Sequence, residues 1–335
     1  TDLDDRVIDD AFDAGDLIQD GGRRERLEAG IGLVTGRFAP FGTDTRLRYR
    51  QTTFSADAGE DDERFHSLAN TVFLRFNPQV TVRGTSFLSH TVTDNALDTE
   101  ETVTRFGIGT DLAIDRAWSA SFDLNFTTLE TEINGAVPGS RISTVTDGVG
   151  ASAVLTRDVR NGVYTFSASR VIADTGFQDT FRVRRTLMLA NGADIDASIG
   201  VASFEGADPI LIYNLSYANE ILRGVRFNAA LDRSGGVSDD DENIIRTRFN
   251  AGLGRDLTRR SSVSVDTTLL QVEERGPTGT DTARVNLGLV YRHALTEDWN
   301  FAARLSRQIT FEDGDREDRV DAVSLTLERR FSFRP

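Results

Sequence analysis

The feature that most limits what this chain can fold into is an alternation of period two, sustained for about 10 to 14 residues at a time. Trp118, Ala120, Phe122, Leu124 and Phe126 alternate with Ser119, Ser121, Asp123, Asn125 and Thr127. Phe106, Ile108, Thr110, Leu112 and Ile114 alternate with Arg105, Gly107, Gly109, Asp111 and Ala113. The same holds for Ala283 to Arg292 and for Trp299 to Ser306. A period of two places each set on one face of a sheet. Strands in globular domains average about 5 to 6 residues, whereas a strand tilted through a bilayer needs about 9 to 11. The run length therefore matches a membrane.

The connections alternate as well. Asn77-Pro78, Asp115-Arg116, Arg157 to Gly162, Ala190 to Ala193 and Thr296 to Asp298 are short. Ala56 to Glu63, Thr93 to Glu101, Glu130 to Arg141, Ser234 to Asn243, Val272 to Asp281 and Glu312 to Asp318 read as longer, acidic loops. Two classes of connection taking turns imply hairpins throughout. Short turns on one side and long loops on the other are the arrangement of outer-membrane barrels.

Counting from Arg23 gives about 17 strands, with 16 to 18 open, because bacterial single-chain barrels normally have an even number. The expected fold class is all-β: a transmembrane antiparallel up-and-down barrel over residues 23–335. Residues 1–22 form a separate acidic, helical or irregular segment, in which Leu3, Val7, Ala11 and Phe12 share a helical face. That segment is expected either to occupy the bore as a plug or to be a periplasmic tail.

No apolar run approaches the roughly 20 residues of a transmembrane helix. A barrel shows only alternate residues to lipid, so low mean hydropathy is no objection. The chain opens Thr1-Asp2-Leu3 with no visible signal peptide, which reads as a mature or trimmed sequence.

Composition removes several chemistries. There is no Cys, which excludes thiol catalysis and Cys-ligated metals. The formal charge is -15 and every basic residue is Arg, scattered rather than clustered, which argues against nucleic acid. The three histidines, His66, His90 and His293, are followed by Ser67-Leu68, Thr91-Val92 and Ala294-Leu295. None stands in the His-x-Ser pair of outer-membrane lipases, and none follows an Asp as in omptin-type proteases. No enzymatic activity and no cofactor are expected. Asp239-Asp240-Asp241-Glu242 and Glu60-Asp61-Asp62-Glu63 do not match an EF-hand and read as solvated loops.

The polar face carries the functional signal. Arg46, Arg48 and Arg50 fall on one face of one strand; Arg182 with Arg184, and Arg246 with Arg248, do the same. Arg83, Arg105, Arg226, Arg284, Arg292 and Arg304 also fall there, beside Asp111, Asp123, Asp194, Asp196, Asp232 and Asp266. Rings of Arg favour anions in pores; Arg–carboxylate pairs, alternatively, brace the wall. Gly107 with Gly109, Gly148 with Gly150 and Gly252 with Gly254 each share one face of a strand, which reads as a thin inner wall or as a place where something packs closely.

The closing run from Ser324 to Phe333 resembles the C-terminal strand of outer-membrane proteins, followed here by Arg334 and Pro335. With the hairpin pattern over residues 23–333, the chain resembles bacterial outer-membrane β-barrels, nearest to the poorly characterised β-barrel porins of proteobacteria. That resemblance implies an outer-membrane location and contact with lipid and lipopolysaccharide. It also implies recognition of the terminal strand by the barrel-assembly machinery. The implied function is a channel for passive diffusion or export of small or anionic solutes, polysaccharide included. The alternative is a closed structural barrel serving as an anchor or assembly partner. A TonB-type transporter, with about 22 strands and a folded plug, is not expected at this length.

Overall fold

In a computed structural model, residues 24–54, 61–94, 98–134, 141–173, 176–237, 243–274, 281–296 and 298–329 are described. They are all-β. The first strands are β1 (Arg24–Thr35), β2 (Phe41–Phe54), β3 (Asp62–Asn77), β4 (Val80–Asp94), β5 (Thr99–Ala113) and β6 (Trp118–Asn134). The middle strands are β7 (Arg141–Val159), β8 (Gly162–Ala173), β9 (Gly176–Met188), β10 (Asp194–Phe204), β11 (Ile210–Leu222) and β12 (Val225–Val237). The last are β13 (Asn243–Asp256), β14 (Ser261–Glu274), β15 (Asp281–Ala294), β16 (Trp299–Glu312) and β17 (Asp315–Arg329). They belong to one sheet of 17 strands. The proposed plug, residues 1–22, lies outside the described residues, as do Asp239 to Glu242 and the last residues after Arg329.

The chain divides into two compact units. In the first, β1 to β5 pair antiparallel with their sequence neighbours, and Thr45, Asn70, Ser86 and Phe106 stand abreast on consecutive strands. In the second, β9 to β17 pair in the same way. Strand lengths run from 11 residues in β10 to 19 in β7. All but β10 exceed the 9 to 11 needed to cross a bilayer, so the ladders continue into what the sequence suggests are loops. The clearest difference is Glu312 to Asp318. Glu312 pairs with Asp315, and the connection is the two residues Asp313 and Gly314, with φ of 49° and 87°. An Asp-Gly pair with both residues at positive φ matches the twist of the flanking strands. The surrounding acids had masked that signal.

The period-two pattern translates directly into two faces. Phe106, Ile108, Phe122, Leu124 and Phe126 are exposed large apolar residues, and the arginines and aspartates alternate with them. Large apolar side chains exposed on strand after strand are the reverse of a protein dissolved in water. The apolar face ends differently on its two sides. Near the short turns, guanidiniums lie over rings: Arg157 on Trp118, Arg185 on Tyr164 and Arg329 on Trp299, at 5.1, 3.9 and 5.3 Å from the ring centre. Near the longer connections, Arg64–Asp94, Arg170–Asp179 and Arg307–Asp321 form ion pairs at 2.8, 2.6 and 2.6 Å. An apolar band bounded by amphipathic aromatics and by paired charges suits lipid between two polar interfaces.

The second unit holds one small core on the opposite face. Pairing of β11 with β12 stops at Tyr213 and Arg233, although β12 runs on to Val237 beside β13. Leu211 stays exposed on the apolar face, while Ile210 and Ile212, its neighbours on the other face, are buried. They cluster with Ala202, Phe204 and Ile245. Gly235 lets the β12–β13 arm rest there: a Cβ at this position would stand 2.4 Å from the Ile210 side chain and 2.8 Å from the Phe204 ring.

Two substitutions check this architecture. Leu124→Arg, on the apolar face, should cost about 2–4 kcal/mol if that face meets the bilayer interior; urea titration of the vesicle-refolded protein reads the loss. Gly235→Val should cost about 1–3 kcal/mol by overpacking. An unchanged midpoint for Gly235→Val would mean the arm is not seated on Phe204 and Ile210.

Candidate functional site: the arginine-rich polar face

Strand geometry alone places Arg46, Arg48, Arg50, Arg83, Arg105 and their counterparts in the second unit on the polar side. Cross-strand partners sit close enough for an Arg to reach carboxylates on its own strand, two residues away, or on a neighbouring strand. Arg46 binds Asp44 of its own strand at 3.0 Å. Arg48 reaches Glu28 on β1 at 2.8 Å, and Arg50 binds Glu63 on β3. Arg83 on β4 lies between two carboxylates, Asp111 on β5 at 2.9 Å and Asp123 on β6 at 3.1 Å. It also donates to the Ser121 hydroxyl, and Ser152 on β7 donates to Asp123. Arg105 donates to Thr127 at 3.0 Å, and that hydroxyl donates on to Asn125. These contacts form two polar networks over β4 to β7.

The second unit repeats the device less completely. Arg184 binds Asp196 at 2.8 Å and Arg226 binds Asp256 at 3.1 Å. Arg248 donates to Asn250 on its own strand, with Asp232 directly opposite on β12. Arg246 stands opposite Val272, Arg284 opposite Leu270 and Thr310, and Asp266 opposite Gly288. Arg182, Arg292 and Arg304 stand opposite Gly200, Ser262 and Val290. Among the described residues these three have no carboxylate partner. Asp194 faces Met188 across the short turn and Ala218 on β11.

The glycines answer a packing need on this face. A Cβ at Gly109 would stand 2.1 Å from an Asp123 oxygen, and one at Gly252 would stand 2.7 Å from the Asn228 amide. Gly288 makes the same room for Asp266. The three histidines are elsewhere: His66 against Tyr49, His90 against Thr102 and His293 stacked on Tyr291, all on the apolar face.

No protein-family model matches the chain, and no curated protein does. Solved structures do. The ferric enterobactin receptor of Pseudomonas aeruginosa is similar at 8% identity, with a TM-score of 0.56 over 92% of this chain and 70% of that one. The copper transporter OprC is similar at 10% identity, with a TM-score of 0.56 over 88% of this chain and 65% of that one. The alcaligin outer-membrane receptor of Bordetella pertussis matches at 10% identity, with a TM-score of 0.53 over 89% of this chain and 61% of that one. The fold is the outer-membrane β-barrel. At these identities the similarity shows the fold and does not bear out porins as the nearest relatives. This chain spans about two thirds of the length of these receptors.

The Arg83 network is open to a direct check. Arg83→Ala leaves Asp111 and Asp123 facing each other without the intervening cation. We expect a loss of about 1–3 kcal/mol in unfolding free energy, partly restored when Asp123→Asn is added. If the double variant is no more stable than Arg83→Ala alone, the guanidinium does not brace the two carboxylates.

Proposed function

We propose that this chain is an outer-membrane transport barrel whose polar face conducts an anionic solute. One observation carries the reading: Arg182, Arg292 and Arg304 lie on the polar face with no carboxylate partner among the described residues. Guanidiniums cannot deprotonate near neutral pH. Held without partners along an aqueous path, they attract anions over a Debye length of about 8 Å at physiological salt. Barrels of 16 to 18 strands leave an aqueous channel, and 17 strands fall in that range. The similar solved structures are receptors and a transporter, two of them named for ferric enterobactin and alcaligin and one for copper. They support transport as the general role. Passive conduction is the finer part of the proposal, together with lipopolysaccharide contact and recognition of the terminal strand by the assembly machinery.

The paired arginines favour a second reading. Arg46, Arg48, Arg50, Arg83, Arg184 and Arg226 all hold carboxylates, as a wall-bracing role requires. A barrel braced throughout, with its bore filled, is an anchor or assembly partner without transport.

Planar-bilayer recording separates the two. The channel reading expects conductance with a reversal potential favouring chloride at about 0.1 M salt, weakening as screening increases. Changing Arg182, Arg292 and Arg304 together to Ser should move selectivity toward cations. Absence of conductance, or selectivity untouched by the triple change, supports the braced barrel instead.

A further inference from the structure

The apolar face is not uniform. On β2, β3 and β4, Leu47, Leu68 and Leu88 stand abreast and are 53%, 44% and 47% exposed. Two residues along, the row is Thr45, Asn70 and Ser86. The next is Thr43, Val72 and Gly84, and the one after that returns to Phe41, Leu74 and Val82. A polar strip three strands wide is thus enclosed by apolar rows on both sides. On the neighbouring β5, Phe106 and Ile108 stand beside Ser86 and Gly84, and on β6 Phe122, Leu124 and Phe126 follow one another without such an interruption.

The strip is partly satisfied within itself. Thr45 donates to the Asn70 carbonyl oxygen at 2.9 Å, and the Thr35 and Thr43 hydroxyls share a hydrogen bond at 2.8 Å. The Asn70 amide group carries two further donors, for which no described residue offers an acceptor. A Cβ at Gly84 would meet no atom within 4 Å, so the backbone is approachable there. Hydrocarbon supplies no acceptor for an amide. In membrane helices, small and polar side chains on a lipid-facing surface mark contacts between segments, and the same lack of acceptors applies on a barrel wall.

We infer that two copies of this chain associate in the membrane through the strip Thr45–Asn70–Ser86, with Asn70 at its centre. The inference rests on the membrane placement of the apolar face. A second copy fits better than an unrelated partner because the strip is self-complementary. It is uncharged, so like surfaces do not repel. Its middle residue is both donor and acceptor, and a two-fold axis along the membrane normal lets two Asn70 amides exchange hydrogen bonds. The notch at Gly84 allows the backbones to come close, with the rows of Leu47, Leu68 and Leu88 and of Phe41, Leu74 and Val82 closing around the polar centre.

The chain has no cysteine, which permits a clean test. Asn70→Cys protein, refolded into lipid vesicles and oxidised, should run at twice the monomer mass without reductant. Leu124→Cys, also exposed on the apolar face, should remain monomeric. Monomeric Asn70→Cys, or equal cross-linking of Leu124→Cys, overturns the inference. In native membranes, a cross-link of Asn70→Cys to a chain of another mass overturns it as well, in favour of a different partner. Light scattering of the uncross-linked protein gives a second reading. The wild type should be dimeric and Asn70→Leu should dissociate at least tenfold more readily; an Asn70→Leu protein as dimeric as the wild type places the contact elsewhere. Failure of the membrane reading itself is distinguishable, because the protein would then not float with the vesicles.

Discussion

The structure depends on one constraint: inside hydrocarbon, backbone amides and carbonyls have no partner except each other. A long antiparallel ladder meets that demand strand by strand. The pairings from Asn243–Asp256 through Asp315–Arg329 run almost without interruption, with one register shift near Thr310. Continuous ladders in turn oblige each strand to turn back at its end. Near the short side this uses two- to five-residue connections such as Ile114 to Ala117 and Leu257 to Arg260, where Trp118 and Ser261 carbonyls close the turn. Everything else follows from a sheet whose two faces meet different surroundings.

The polar face shows what long basic side chains do when strands are fixed about 4.8 Å apart. Arg is suited to this because its planar fork spans two carboxylates, as Arg83 does between Asp111 and Asp123. Glycine across the strand makes room for the acid: Gly109 for Asp123 and Gly288 for Asp266. Bracing and the proposed conduction draw on the same residue type. Whether a given Arg is held in the wall depends on whether an acid lies within reach on its own strand or the next.

The same sheet departs from its own rule in two places. The β12–β13 arm leaves β11 and buries apolar residues on the polar side, around Phe204 and Ile210. The strip at Asn70 puts polar groups on the apolar side. Departures of this kind are where a sequence obeys something other than the local pattern: the first packs an arm across the sheet, and the second is the surface for which we infer a contact with another copy.

The two faces, the strand class and the side of the sheet on which each Arg falls were all legible in the alternation, because a period of two needs only local sequence. The exceptions were not. Ile210 and Ile212 fall at positions that the alternation assigns to the polar face, and nothing near them signals that Gly235 and Ile245 will cover them. Asn70 reads as one polar residue in a strand until Thr45 and Ser86 are found beside it. Nor does the sequence distinguish Arg48, held by Glu28, from Arg304, which stands opposite Val290. Local sequence determines which way a side chain points. Which residues it meets is set by register, and register comes from turns and ladders that align residues far apart in the chain. Only the folded sheet decides that.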